Sequence, residues 1–302
     1  MNENYYFPKI PITWRPWIGA LRLKSISASL SPPLCAVALV WLFNGAVDLL
    51  IVLTCVLSAY SIQMGTNLVN EAFDDAKGCD RNDRKGDIRI VQRGIVTRKQ
   101  AHIAGVCFFI IAIILGLSLI LKGGMPILSI LFFSVLMGYI YTAGPFSLAY
   151  SGLSDIVLIV FFGILYTSSA FYLQTGYWSF DALLAGLQQG FLVTNILNTN
   201  NMRDCEGDAR VNKRTLVVRF GKRFACAELA ICSLLPFVIQ LYWIWYSIAT
   251  QLVWIAFPFA LHNVIAAYED TSPERCHELH KKSGMLQLLF SVLFAIGMRL
   301  SV

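Results

Sequence analysis

Nine stretches of this chain are almost continuously apolar: about 26–44, 46–66, 101–121, 125–142, 152–173, 180–199, 224–245, 249–268 and 284–301. Each approaches the roughly 20 residues that a helix needs to cross the hydrocarbon of a bilayer. A spanning β-barrel would alternate apolar and polar residues, and these runs do not alternate. The chain as a whole is 57% apolar and 14% charged, whereas a soluble domain is nearer a quarter charged. The expected fold class is therefore all-α: a polytopic membrane protein, about nine transmembrane helices around a central cavity, in one domain over 1–302.

Orientation follows from positive charge. With the N-terminus inside, the inner segments are 1–25, 67–100, 143–151, 200–223 and 269–283, and they hold 22 of the 24 Lys and Arg residues. The N-terminus and these loops are expected to be cytoplasmic. The net charge of +6 is then a topology signal and implies no nucleic acid partner. The first 25 residues lack the apolar core of a cleavable signal. The eight cysteines are scattered without a CxxC pair and read as small packing residues. Cys276-His277-Glu278-Leu-His280 reads as part of a polar cytoplasmic loop, and His262 and Asn263 as helix packing residues.

Two acidic clusters stand at the inner ends of apolar runs, where ionisable groups are costly and usually functional. The first contains Asn67, Asn70, Glu71, Asp74, Asp75, Lys77 and Asp80; the second contains Asn198, Asn201, Arg203, Asp204 and Asp208. Gln63, Asn67, Asn70 and Asp74 recur at steps of four, three and four, which is one face of a helix. Asn198, Asn201, Asp204 and Asp208 step by three, three and four, and Asn195 and Gln188 extend that stripe backward. Two polar stripes at one membrane depth predict a shared cavity at the cytoplasmic end. Carboxylate and amide oxygens suit magnesium, which keeps waters and takes a few carboxylates plus substrate phosphate oxygens. Lys77, Arg81, Arg203 and Lys213 lie alongside, and such cations neutralise charge on a departing diphosphate.

The two clusters resemble the two aspartate-rich motifs of the UbiA superfamily of intramembrane aromatic prenyltransferases. The likeness extends to Gln92-Arg93-Gly94, Tyr141-Thr-Ala-Gly-Pro145 and Lys213-Arg214-Thr215. Glu71 stands where the commoner first motif has an aspartate, and Gly78 where it has its last; Asp80, two residues on, is similar to the family's naphthoate-prenylating branch. The resemblance implies that Asn70, Asp74, Asp80, Asp204 and Asp208 hold Mg2+. It implies that Asn67, Asn70, Lys77, Arg81, Asn201, Arg203 and Lys213 bind a polyprenyl diphosphate, with Tyr139 and Tyr141 beside the ring or cation. The implied acceptor is 1,4-dihydroxy-2-naphthoate, and the implied setting is the lipid bilayer of a bacterial inner membrane. Other acceptors, or cyclisation without one, use the same kind of site. A divalent-cation transporter would need a continuous polar path, but the outer halves of spans two and six are largely apolar.

Overall fold

The computed structural model describes residues 26–44, 46–79, 89–144 and 147–302. Helices α1 (Ser27–Asn44), α2 (Leu49–Ala76) and α3 (Arg98–Ile140) come first. They are followed by the short α4 (Leu148–Ser151), then α5 (Ser154–Thr175) and α6 (Phe180–Arg210). The short α7 (Leu216–Phe220), α8 (Lys222–Trp245), α9 (Ile248–Glu269) and α10 (Pro273–Arg299) complete the chain, and no strand occurs among the described residues.

Five of these, α2, α3, α5, α8 and α9, are long and apolar enough to cross a membrane. α6 and α10 are comparably long, at 31 and 27 residues, but α6 carries many polar side chains in its C-terminal half and α10 in its N-terminal half. α6 alone would extend about 46 Å at 1.5 Å per residue, well beyond a hydrocarbon core of about 30 Å. Asp204 and Asp208 of the second acidic cluster lie in its last two turns.

The 43 residues of α3 form two arms. Gly124 leaves the helical region at φ 67°, ψ −153°, and Pro126 follows it. Proline removes a helix hydrogen bond, and glycine alone adopts such a backbone without strain. The second arm folds back along the first, so that Leu131 packs against Gly116. The first arm lies on α2 at very close range: a Cβ at Gly65 would stand 2.9 Å from the Gly105 carbonyl. Small residues at such crossings let helices without a hydrophobic driving force gain contact.

The same device joins α5 to α6. A Cβ on Gly163 would meet the Gly186 carbonyl at 2.5 Å. Here α5 widens into a π-helical stretch, Leu158–Leu165. On the other flank of α6, a packed cluster that includes Phe171, Phe237, Trp243, Phe290 and Phe294 joins it to α1, α5, α8 and α10. The segment 276–280, read from sequence as a polar loop, is helical and lies in α10. Cys276, Leu279 and His280 are buried, because the helix presents them to α6 and α8 rather than to water.

Candidate active site

α2 and α6 bring the two acidic clusters to one place. α2 is capped at its N-terminal end by Asp48, whose carboxylate accepts the Leu50 and Ile51 N–H groups, and runs unbroken to Ala76. Asp74, in its last turn, is fully buried. Arg89 Nη1 donates to Asp74 Oδ2 at 3.1 Å, and the Tyr150 hydroxyl donates to Oδ1 at 3.1 Å. The Asn70 amide, with its nitrogen toward the carboxylate, donates to Oδ2 at 2.6 Å. From the second cluster, Lys213 Nζ stands 3.4 Å from Asp208 Oδ1 and 3.9 Å from Asp74 Oδ2. One ammonium thus bridges carboxylates that are 134 residues apart in sequence.

Burial pulls the Lys213 ammonium toward neutrality, but the Asp74 and Asp208 carboxylates outweigh it and hold its pKa above that of an ordinary lysine. Burial pushes the Asp208 carboxyl up, against the pull of Lys213, and the nearby Asp204 and Asp74 charges add to the rise. Asp204 is gripped by Arg203 through two parallel hydrogen bonds of 2.8 and 2.9 Å, the fork geometry that makes arginine–carboxylate pairs strong.

A cavity of about 290 Å3 opens beside this cluster. Asn67, Asn70, Arg89, Tyr141, Asn201, Arg203, Asp204 and Lys213 line its polar end. Fifteen residues back along α2, about 22 Å at the helical rise, Cys55, Leu119, Ile127 and Leu173 line the other. A strongly charged mouth on a mostly apolar channel suits an amphiphile with an anionic head.

Arg89 and Tyr150 were not singled out by the sequence reading. Arg89 is positioned by Glu71, whose Oε2 accepts the Ile90 N–H at 3.0 Å; the glutamate that departs from the commoner motif pins the segment carrying the arginine. Tyr150 comes from α4, in the segment 143–151, which holds no Lys or Arg. Its ring lies 4.0 Å from Lys77 Nζ, and Lys77 also donates to the Thr142 carbonyl at 3.2 Å. Asp75 pairs with Arg98 and ties α2 to the start of α3.

Several expected residues are placed differently. Tyr139 does not reach the cavity wall: its hydroxyl meets His102 Nε2 at 3.3 Å, and its ring packs on His102 and Phe109. Asn198 turns to α8, donating to the Ala225 carbonyl at 3.0 Å and to Glu228 Oε2 at 2.7 Å. Asn195 donates to Ser233, and Gln188 to the Pro236 carbonyl. The backward half of the second stripe therefore faces a neighbouring helix. Asp80 and Arg81 lie outside the described residues.

The donor set fits a hard divalent cation. It is made of carboxylate and amide oxygens, and Asp208 Oδ2 is buried with no hydrogen-bond partner among the described residues. Those described residues contain no cluster of three or more His, Cys, Asp or Glu that would close a cage by itself.

A sequence profile matches residues 30–286, and it is that of the UbiA prenyltransferase family. This chain belongs to the UbiA prenyltransferase family. Among its relatives, the 1,4-dihydroxy-2-naphthoate octaprenyltransferase of Haemophilus influenzae is 29% identical over 85% of each chain. The protein of that name from Escherichia coli is 29% identical over 94% of this chain and 95% of its own. UbiA prenyltransferase domain-containing protein 1 of Xenopus tropicalis is 26% identical over 94% of this chain and 82% of its own. Among solved structures, a UbiA homologue from Archaeoglobus fulgidus has a TM-score of 0.64 at 14% identity, covering 94% of this chain and 98% of its own. The form of that homologue bound to DMAPP and Mg2+ has a TM-score of 0.62 at 14% identity, covering 93% and 99%. The UbiA fold and the membrane-spanning helices make this protein an integral membrane prenyltransferase.

Proposed function

We propose that this enzyme transfers a polyprenyl group from an isoprenyl diphosphate to 1,4-dihydroxy-2-naphthoate, with loss of CO2 and diphosphate, giving demethylmenaquinone in its reduced, quinol form. The naphthoate-prenylating names of its bacterial relatives support the choice of acceptor. The observation that carries the reading is the Lys213 bridge between Asp74 and Asp208, at the charged mouth of a mostly apolar cavity.

In this reading Asp74, Asp204 and Asp208, with Asp80 and Asn70, hold magnesium. Bound there, magnesium supplies neutralisation of charge on the departing diphosphate. Lys213, Arg203 and Arg89 pair diphosphate oxygens, and Asn67, Asn201, Lys77 and Arg81 complete the polar seat. The apolar walls hold the prenyl tail and exclude water from the allylic carbon, while Tyr141 offers a ring face to positive charge. The electron-rich naphthoate ring attacks that carbon, and the carboxyl group leaves as CO2. The whole chain acts as one domain in a bacterial cytoplasmic membrane, with its N-terminus and the acidic clusters on the cytoplasmic side.

Detergent-purified protein incubated with dihydroxynaphthoate, a polyprenyl diphosphate and magnesium is expected to yield demethylmenaquinol, read by mass spectrometry as such or as the quinone formed from it in air, and EDTA to abolish it. Diphosphate release without a prenylated naphthoate would reject this acceptor. No diphosphate release from folded protein would reject the reaction class.

A further inference from the structure

Lys213, Arg203 and Arg89 each have a carboxylate partner; among the described residues, a group of arginines just past them has none. We propose that Arg214, Arg219 and Arg223, with the exposed Phe220–Phe224 ring pair, form a docking site for the headgroup of an anionic phospholipid at the membrane boundary. Binding there does not depend on the function proposed above; its effect on turnover does.

From Ala209 to Ala227 the chain holds Arg210, Lys213, Arg214, Arg219, Lys222 and Arg223, and no Asp or Glu. Arg214 and Arg223 are exposed, and neither guanidinium has a hydrogen bond or ion pair among the described residues. Arg219 is exposed too, and its partners are main-chain oxygens: Nε donates to the Arg214 carbonyl at 3.0 Å and Nη2 to the Ser151 carbonyl at 2.7 Å. Carbonyls orient a guanidinium without cancelling its charge. Lys222 is held by the Thr271 carbonyl at 3.1 Å. The three arginine charges are therefore left for an anion from outside the chain, and the planar guanidinium fork suits phosphate oxygens.

The place of the group makes that anion a lipid headgroup. Phe220 is 62% exposed, Phe224 is exposed beside it, and their ring centroids are 5.0 Å apart. Gly221, at φ 83°, turns the chain from α7 into α8 between them. Phe224 lies in the first turn of α8, a helix long and apolar enough to cross a membrane, so the rings stand where that helix enters the bilayer. Leu153 and Ile156, at the start of α5, are exposed nearby: Gly152 packs on the Arg214 carbonyl, to which an added Cβ would stand at 3.2 Å. Basic and aromatic side chains at such a boundary meet headgroup phosphate and acyl chain together. A free phosphate would use the arginines and leave the apolar surface uncovered.

This surface joins the charged mouth of the cavity at two points. Arg214 follows Lys213, which bridges Asp74 and Asp208. Ser151, held by Arg219, follows Tyr150, whose hydroxyl donates to Asp74. A headgroup drawn to the three arginines steadies both the lysine and the tyrosine, so an occupied lipid site should lower the KM for the prenyl diphosphate.

The test titrates the full chain, in neutral detergent, with dioctanoyl phosphatidylglycerol, dioctanoyl phosphatidylcholine or glycerol 3-phosphate, and reads binding by native mass spectrometry. Phosphatidylglycerol should bind about tenfold or more tighter than phosphatidylcholine, and glycerol 3-phosphate should not bind at the same concentration. R214Q/R223Q, which alters two side chains without partners, should weaken phosphatidylglycerol about 25-fold, or about fivefold per arginine, the worth of one basic residue at an anionic membrane surface. R214K/R223K keeps the charge and should stay within about threefold of wild type. In micelles carrying a few lipid molecules per protein, phosphatidylglycerol should lower the wild-type KM for the prenyl diphosphate about fivefold against phosphatidylcholine, and leave that of R214Q/R223Q unmoved. Equal binding of the two lipids, glycerol 3-phosphate bound as tightly as the lipid, or a double glutamine variant that binds like wild type would overturn the site. Lipid binding with an unmoved wild-type KM would overturn its effect on turnover. Absence of prenyl transfer by wild type would instead overturn the function proposed above and leave the binding result standing.

Discussion

α2 and α6 carry the same kind of polar stripe, and they use it differently. An α-helix turns about 100° per residue, so a step of four advances a stripe by about 40° and a step of three sets it back by about 60°. On α2 the four, three, four pattern keeps Gln63, Asn67, Asn70 and Asp74 within about 60° of one another. All four serve one wall: three line the cavity, and Asp74 stands behind it. On α6 two consecutive steps of three separate Asn198 from Asp204 by about 120°. The stripe splits, with Asn201, Asp204 and Asp208 at the site and Asn198, Asn195 and Gln188 bonded to α8. A run of polar residues at near-helical spacing is a face only if its small rotations cancel.

The largest effect should come from the residues on which both helices converge. Asp74→Ala removes the shared partner of Arg89, Tyr150, Asn70 and Lys213. Asp208→Ala removes the opposite anchor of the same ammonium. Each is expected to lower prenyl transfer by about 100- to 1,000-fold, the scale for losing one preorganised electrostatic group. Initial rates in membranes would show it, and a loss from only one of the two would break the single-site picture.

A smaller effect is expected for Glu71→Ala, which frees Ile90 and with it Arg89. The KM for prenyl diphosphate should rise about tenfold, worth roughly 1.4 kcal/mol, while that for the acceptor holds. Asn198→Ala tests the split stripe directly. Leaving Glu228 and the Ala225 carbonyl without their donor should cost about 1–3 kcal/mol of stability, read as a lower Tm in detergent. The rate per folded molecule should stay within about threefold; a collapsed rate with an unchanged Tm would return Asn198 to the site. The smallest change belongs to Tyr139→Phe, which loses one long contact to His102. Its rate should remain within about twofold, since a net hydrogen bond of this kind contributes about 1 kcal/mol or less.

What was legible in the sequence had a local cause. Apolar runs and the α2 stripe are properties of neighbours in the chain: five long apolar helices form among the described residues and the stripe makes one face, whereas much of the basic sequence read as inner loops is helical, Arg203 and Arg210 in α6 and Arg275, Lys281 and Lys282 in α10. Arg89 and Tyr150 join Asp74 from separate segments, through a glutamate bond and a four-residue helix that no periodicity announces. His280 was hidden by its company. Cys276, His277, Glu278 and Lys281 make the segment look like a water-facing loop, whereas α10 begins at Pro273 and turns His280 inward. Asn198 misled for the rotational reason given above.

The close approach of α5 to α6 bears on how cavities of this kind diversify. At Gly163, Gly186 and Gly190 any added side chain would meet main-chain atoms of the facing helix, and main chain cannot step aside as a side chain can. That seam fixes the backbones of α5 and α6 against each other, behind the Phe161, Phe162, Val193 and Leu197 side chains that face the cavity. The opposite wall presents Ile130, Leu131, Ser134 and Met137 from the folded-back arm of α3, where a change of residue alters only side-chain volume. Variation in the length or bulk of the prenyl tail handled by related chains is therefore expected to be written on α3, with the glycine seam between α5 and α6 as its fixed reference.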